Sequence, residues 1–150
     1  MRTGFVLALV ASLALAAPFS APAAPLAPSA PIGPSLAGIY LFDVLATSKV
    51  HRETLVALFR TEKGVPSWVR NIPGGKSFVS GPSEEVEIEG VVMQVFHACK
   101  PHDCADNSIH ILFTADGEGA WARLYQKGAE DRYFGNPSAA QRAPLMQDGL

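Results

Sequence analysis

The segment Cys99-Lys100-Pro101-His102-Asp103-Cys104 holds the only two cysteines of the chain and stands between two runs of strand-like sequence. No other feature restricts the fold so strongly. In an oxidising compartment a disulfide across the four intervening residues would tie the loop at its base, and Pro101 would fix a backbone torsion within it. On the loop-entropy model so small a ring contributes only about 2 kcal/mol to stability. Its larger effect is to hold His102 on a rigid tip, which loses less freedom on meeting a partner.

The N-terminus indicates the compartment. Arg2 is followed by an apolar stretch over residues 5–17 and by Ala21-Pro22-Ala23, small residues at cleavage positions. Residues 1–23 therefore read as a cleavable signal peptide. The apolar stretch is shorter than the roughly 20 residues a membrane span needs, and no other stretch comes near that length. Export makes the cysteine pair a disulfide candidate, where a cytosolic chain would first suggest redox or metal chemistry.

With 150 residues, the chain has room for one compact domain and not for two comfortable ones. Twelve Lys and Arg stand against 14 Asp and Glu. Cleavage after Ala23 removes one arginine and no acid, leaving an excess of three negative charges. That balance does not suit a nucleic-acid backbone.

Residues 24–35 are rich in Ala, Pro, Leu and Ser without any apolar period, as expected of an extended tether. The domain itself is expected over residues 36–150. Within residues 36–59, apolar positions at Tyr40, Leu41, Val44 and Leu45, then at Val50, Leu55, Leu58 and Phe59, predict two helices. Thr47 or Ser48 caps the second, Gly64 stops it in a left-handed turn, and His51 in its first turn is expected on the solvated surface. Trp68 is expected in the core with its indole N–H bonded at the edge, the alternative being an exposed anchor for a partner.

Beyond Gly75 the period becomes two. Val86 and Ile88 alternate with Glu85, Glu87 and Glu89, a half-buried strand whose acidic row faces water and discourages edge-to-edge pairing. Gly90 turns the chain into residues 91–98, which run into Cys99; residues 109–114, 120–126 and a short run ending at Tyr133-Phe134 follow. The expected fold is α+β, an antiparallel meander with helices on one face and a protruding disulfide-closed loop. A last short helix is predicted from Asn136 as cap, with Pro137 in its first position, weakening by Pro144. His97 and His110, in the strands flanking the loop, read as structural histidines at a sheet edge.

Chemistry at the loop has several readings. A nucleophile triad is disfavoured because Cys104 and His102 crowd one tight turn, whereas triad partners come from separate elements. Zinc wants three or four ligands, and this small ring offers at most three that it cannot point at one ion. A redox pair usually shows CxxC at a helix start, not a wider spacing between strands. The catalytic alternative left is a cell-envelope thiol-disulfide or metal-binding enzyme using Cys99, His102 and Cys104.

The loop, the strand Val92-Met93-Gln94-Val95-Phe96-His97-Ala98 before it, and Val65-Pro66-Ser67-Trp68-Val69 with Gly74-Gly75 upstream resemble the Ivy family, periplasmic inhibitors of vertebrate (c-type) lysozyme. The likeness runs from about Tyr40 to Tyr125, beyond which the chain departs from longer members. It implies a periplasmic inhibitor with a c-type lysozyme as partner, no catalytic residues, and no cofactor or metal. Cys99 and Cys104 would form the clamp and His102 would enter the lysozyme cleft. Lys100, Pro101 and Asp103 would shape the loop, with Asp103 also able to orient the ring or meet the rim of the target. Neither nucleic acid nor a membrane span enters this reading, and it leaves a homodimer open.

Overall fold

The computed structural model describes residues 35–147. The expected signal peptide and all of the tether but Ser35 lie outside the described residues. The elements are α1 (Leu41–Thr47), α2 (Lys49–Arg60), α3 (Ser67–Arg70), a 3-10 turn (Ile72–Gly74), β1 (Val79–Ser80), β2 (Glu84–Ile88), β3 (Val91–Cys99), β4 (Asn107–Thr114), β5 (Ala120–Gln126), β6 (Arg132–Phe134) and α4 (Ala139–Leu145). All strand pairs are antiparallel. The meander β2-β3-β4-β5-β6 follows the predicted order, and β1 shares the β2 side of β3, covering its last residues.

Two layers of side chains hold the sheet in place. On one face Phe96, Ile111 and Phe113 meet Leu41, Leu55 and Phe59 of α1 and α2, as the helical spacing predicted. On the other face Val95 and Leu112 meet Leu145 of α4. The helices of the first third cover one face as expected, while the last helix lies on the opposite one. Coverage from both sides explains why β3 reads as a nearly continuous apolar run.

Local chemistry sets the element boundaries. Ser48 is the cap of α2, its hydroxyl accepting from the His51 amide. Arg70 braces the other end of α2 by donating to the Phe59 carbonyl in its last turn at 3.1 Å and to the Val65 carbonyl in the segment that follows at 3.3 Å. Glu89 and Gly90, at φ +52° and +80°, form a two-residue turn of the kind that matches strand twist, so Glu89 belongs to the turn and not to the acidic strand. The α4 cap is Ser138 and not Asn136: Ser138 and Gln141 exchange side-chain to backbone bonds in a capping box, and Pro144 falls in the last turn.

His51 departs from its expected place. It is buried, with Nδ1 2.8 Å from the Ser48 hydroxyl and its ring 4.9 Å from that of Phe113. Gly117 in the β4–β5 turn makes room for it: a Cβ there would lie 2.2 Å from Nδ1, and its φ is +76°. The charged neighbours Lys49, Arg52 and Glu53 suggested the surface, but His51 lies four and eight residues before Leu55 and Phe59 on the buried face of α2, and the β4–β5 turn closes over it.

Gly117→Ala is expected to cost about 2 kcal/mol or more, from the clash with the imidazole and the left-handed backbone together, read from urea unfolding. Burial pushes the His51 imidazole below its ordinary pKa, with Asp116 opposing, and burial acts on His97 in the same direction with Glu84 opposing. The unfolded chain therefore binds protons first on acidification; this stability is full above the ordinary histidine range and lost as pH falls through it. Melting temperature is expected to drop between about pH 7.5 and about pH 5. His51→Gln should flatten part of that slope, and an unchanged slope would assign it to other groups.

Candidate functional site

The β3–β4 connection leaves the sheet where Lys100 N donates to the Asn107 carbonyl at 3.1 Å. Cys99, fully buried as the last residue of β3, is disulfide-bonded to the exposed Cys104, with Cα atoms 4.9 Å apart. Within the ring Asp103 N donates to the Lys100 carbonyl at 3.0 Å, closing a β-turn over Pro101 and His102. Pro101 is preset for the second position of such a turn, and His102 occupies the third at φ +64°. That is the type II pattern, in which glycine or asparagine would be the easier residue. A histidine there accepts backbone strain.

Each sequence-predicted loop residue has a distinct setting. His102 is exposed and makes no hydrogen bond or ring contact with another described residue. The Asp103 carboxylate accepts from Lys100 Nζ at 2.8 Å and from Asn107 Nδ2 at 2.9 Å, and its carbonyl accepts from Asn107 N at 2.9 Å. The bond from Lys100 holds this carboxyl below the usual range against desolvation, with the Lys100 charge, Asn107 and Lys127 adding lesser effects in the same direction. Asp103 and Lys100 thus brace the turn, and orienting the imidazole is not among the bonds Asp103 makes.

The bracing extends into the sheet through residues that sequence reading passed over. Asn107 Oδ1 accepts from Gln126 Nε2 of β5 at 3.1 Å. Lys127 bonds Asp106 twice, backbone N to the carbonyl at 2.9 Å and Nζ to the carboxylate at 2.9 Å. Asp106-Asn107 has the composition of a turn, which is all that single-sequence chemistry reveals. The Asn107 to Gln126 bond exists only because the register sets those two residues opposite each other.

The other candidates lie elsewhere. Trp68 is buried in the helix-side core, which removes the exposed-anchor reading, but its Nε1 has no hydrogen-bond partner among the described residues, contrary to the expected edge bond. His97 and His110 are not at a sheet edge. They sit opposite each other in the central strands, buried, with ring centroids 4.4 Å apart. Among the described residues no group of three or more His, Cys, Asp or Glu side chains gathers as metal ligands do.

Comparison with known proteins points one way. The family described as "Inhibitor of vertebrate lysozyme (Ivy)" matches residues 50–145. An "Inhibitor of vertebrate lysozyme" from Pseudomonas aeruginosa is 32% identical over 120 residues, covering 71% of this chain and 75% of that one. An uncharacterized protein of Yersinia pestis is 27% identical over 94 residues, 63% of this chain and 58% of that one.

Asn107→Ala is expected to loosen the loop without unfolding the domain. Amide exchange at Asp103 should accelerate about tenfold, the equivalent of one lost hydrogen bond to a charged group, while global melting changes little. Asn107→Asp, which sets a second carboxylate against Asp103, should disturb the loop at least as much. Unchanged exchange in both variants would mean that the disulfide alone orders the ring.

Proposed function

Because the chain belongs to the Ivy family of inhibitors of vertebrate lysozyme, we propose that it is exported to the periplasm and blocks c-type lysozyme by inserting His102 into the catalytic cleft. The family is one of inhibitors and not of enzymes. The observation that carries the insertion reading is the exposed, strained and unpartnered His102 on a turn braced by a disulfide and by Asp103. A side chain presented in this way has no role in its own fold.

The chemistry of the target explains why an imidazole suits it. A c-type lysozyme works with one protonated and one ionised carboxyl on either side of its substrate. Neutral imidazole has one N–H donor and one bare nitrogen acceptor on opposite sides of the ring. It can donate to the carboxylate and accept from the acid at once, standing where the sugar would stand and offering no bond to cleave. Pro101 and the ring closure lower the ordering cost of that insertion. One copy of the chain per lysozyme suffices, so the mechanism needs no dimer. The signal-like residues 1–23 and the tether at 24–35 serve this reading as export signal and spacer.

The test replaces His102 without disturbing the turn. His102→Asn and His102→Gly both tolerate a positive φ, so melting curves should stay close to the parent. Inhibition in a turbidity assay should weaken by about 2 kcal/mol or more, a hot-spot loss in which two desolvated carboxyl groups lose their partner together. His51 and His110 are buried and make poor controls; the exposed Lys49→Ala serves instead. Undiminished inhibition by His102→Asn would rule out the inserted imidazole.

A further inference from the structure

The loop tip is too small to be a whole interface. Of the six residues from Cys99 to Cys104, only Lys100, His102 and Cys104 are well exposed. A stable protein–protein contact takes about 800 Å² from each partner, on the order of 20 residues or more. If the tip enters the cleft, the surface around its base must meet the rim.

Strand register identifies that surface. Val79 of β1 pairs with Cys99, Cys99 with Ser108 of β4, and Ser108 with Tyr125 of β5. Residues directly opposite in antiparallel strands share a face, so these four side chains form one row across the loop end of the sheet. At roughly 4.8 Å per strand the row is about 14 Å wide, with the disulfide in its middle. Val79 is 46% exposed, although it is an apolar residue in a short edge strand, and Tyr125 is half-buried.

The charges around this row are paired, including that of Arg123, whose guanidinium lies over the Tyr125 ring 5.9 Å from its centroid and bonds Asp131 at 2.8 Å. Lys100 is paired with Asp103 and Lys127 with Asp106, so the cations beside it are already compensated. An aromatic and an apolar side chain bordered by paired charges fit the arrangement of a binding surface, a less polar centre inside a polar rim. The exposed β5–β6 turn is joined to the same surface, because Lys127 N bonds the Asp106 carbonyl at 2.9 Å.

We propose that Val79 and Tyr125, flanking the disulfide in one row, form a shelf that seats against the rim of the lysozyme cleft while the loop tip enters it. The shelf rests on the inhibitor reading and adds residues that loop insertion does not involve. Tyr125 supplies the aromatic anchor on the β5 side of the loop and Val79 the apolar contact on the β1 side.

The experiment measures binding of the full mature protein to a c-type lysozyme by surface-immobilised kinetics, with melting curves for every variant. Tyr125→Ala and Val79→Asp should each raise Kd about tenfold, mainly through faster dissociation, and Tyr125→Phe should bind like the parent. His102→Asn runs beside them. Parent-like binding by Tyr125→Ala and Val79→Asp with weakened His102→Asn would overturn the shelf and leave the inserted imidazole standing. The opposite pattern would support the shelf and discard the imidazole. If Tyr125→Ala lowers the melting temperature, Val79→Asp on the exposed edge decides alone. If Val79→Asp instead changes the elution volume of the free protein and leaves lysozyme binding untouched, the row is a self-association surface and the proposal fails.

Discussion

The pairing of β3 with β4 is the interaction on which the remaining structure depends. Its register runs from Met93 opposite Thr114 to Cys99 opposite Ser108. That alignment places Cys99 at the last paired position, so the connection to Asn107 has the length and direction that let Cys104 turn back onto it. A slip of one residue would turn the side chains of one strand to the wrong faces relative to the other. Either Phe96 or Ile111 would leave the α1–α2 side, either Val95 or Leu112 would leave α4, and the cysteine would no longer sit at the root of the loop. Core and loop are therefore specified by one register, and burial on both faces makes any slip costly.

The loop shows how a small domain presents one side chain rigidly. A six-residue ring adds little to global stability, and the His102 backbone is held in a conformation that a non-glycine residue avoids. What the domain gains is local. The disulfide closes the ring, Pro101 and the Asp103 amide set the turn, and Asp103, Asn107 and Gln126 connect it by side-chain bonds to β5. These bonds are partly exposed and individually modest, but they act on the same few residues. The entropy of ordering the tip is met during folding and not during binding, which is the condition under which one imidazole can matter to affinity.

Reading the chain alone recovered elements whose signal is local. The switch from helical spacing at Tyr40 to Phe59 to alternation at Glu84 to Ile88 located the change from helices to sheet. The turn-rich punctuation at Gly90 and at Asp116 to Gly119 yielded the meander. The cap of α2 was narrowed to Thr47 or Ser48, of which Ser48 is the one, because cap chemistry acts within three residues. The histidines were misread for the opposite reason. His51 sits among charged neighbours in sequence, yet a turn more than sixty residues away closes over it. His97 and His110 look like edge residues only until strand order makes theirs the middle strands.

Composition, periodicity and the CxxxxC spacing were enough to determine that this chain forms an α+β meander with a clamped, histidine-bearing loop. They sufficed because helix caps, strand alternation and a short covalent ring depend on neighbours a few residues apart. Which face α4 covers, which histidines are buried, and that Asn107, Gln126 and Lys127 brace the loop were decided only by the tertiary structure. Those facts depend on register and on packing between distant segments. A single sequence records the residues that meet there without recording that they meet.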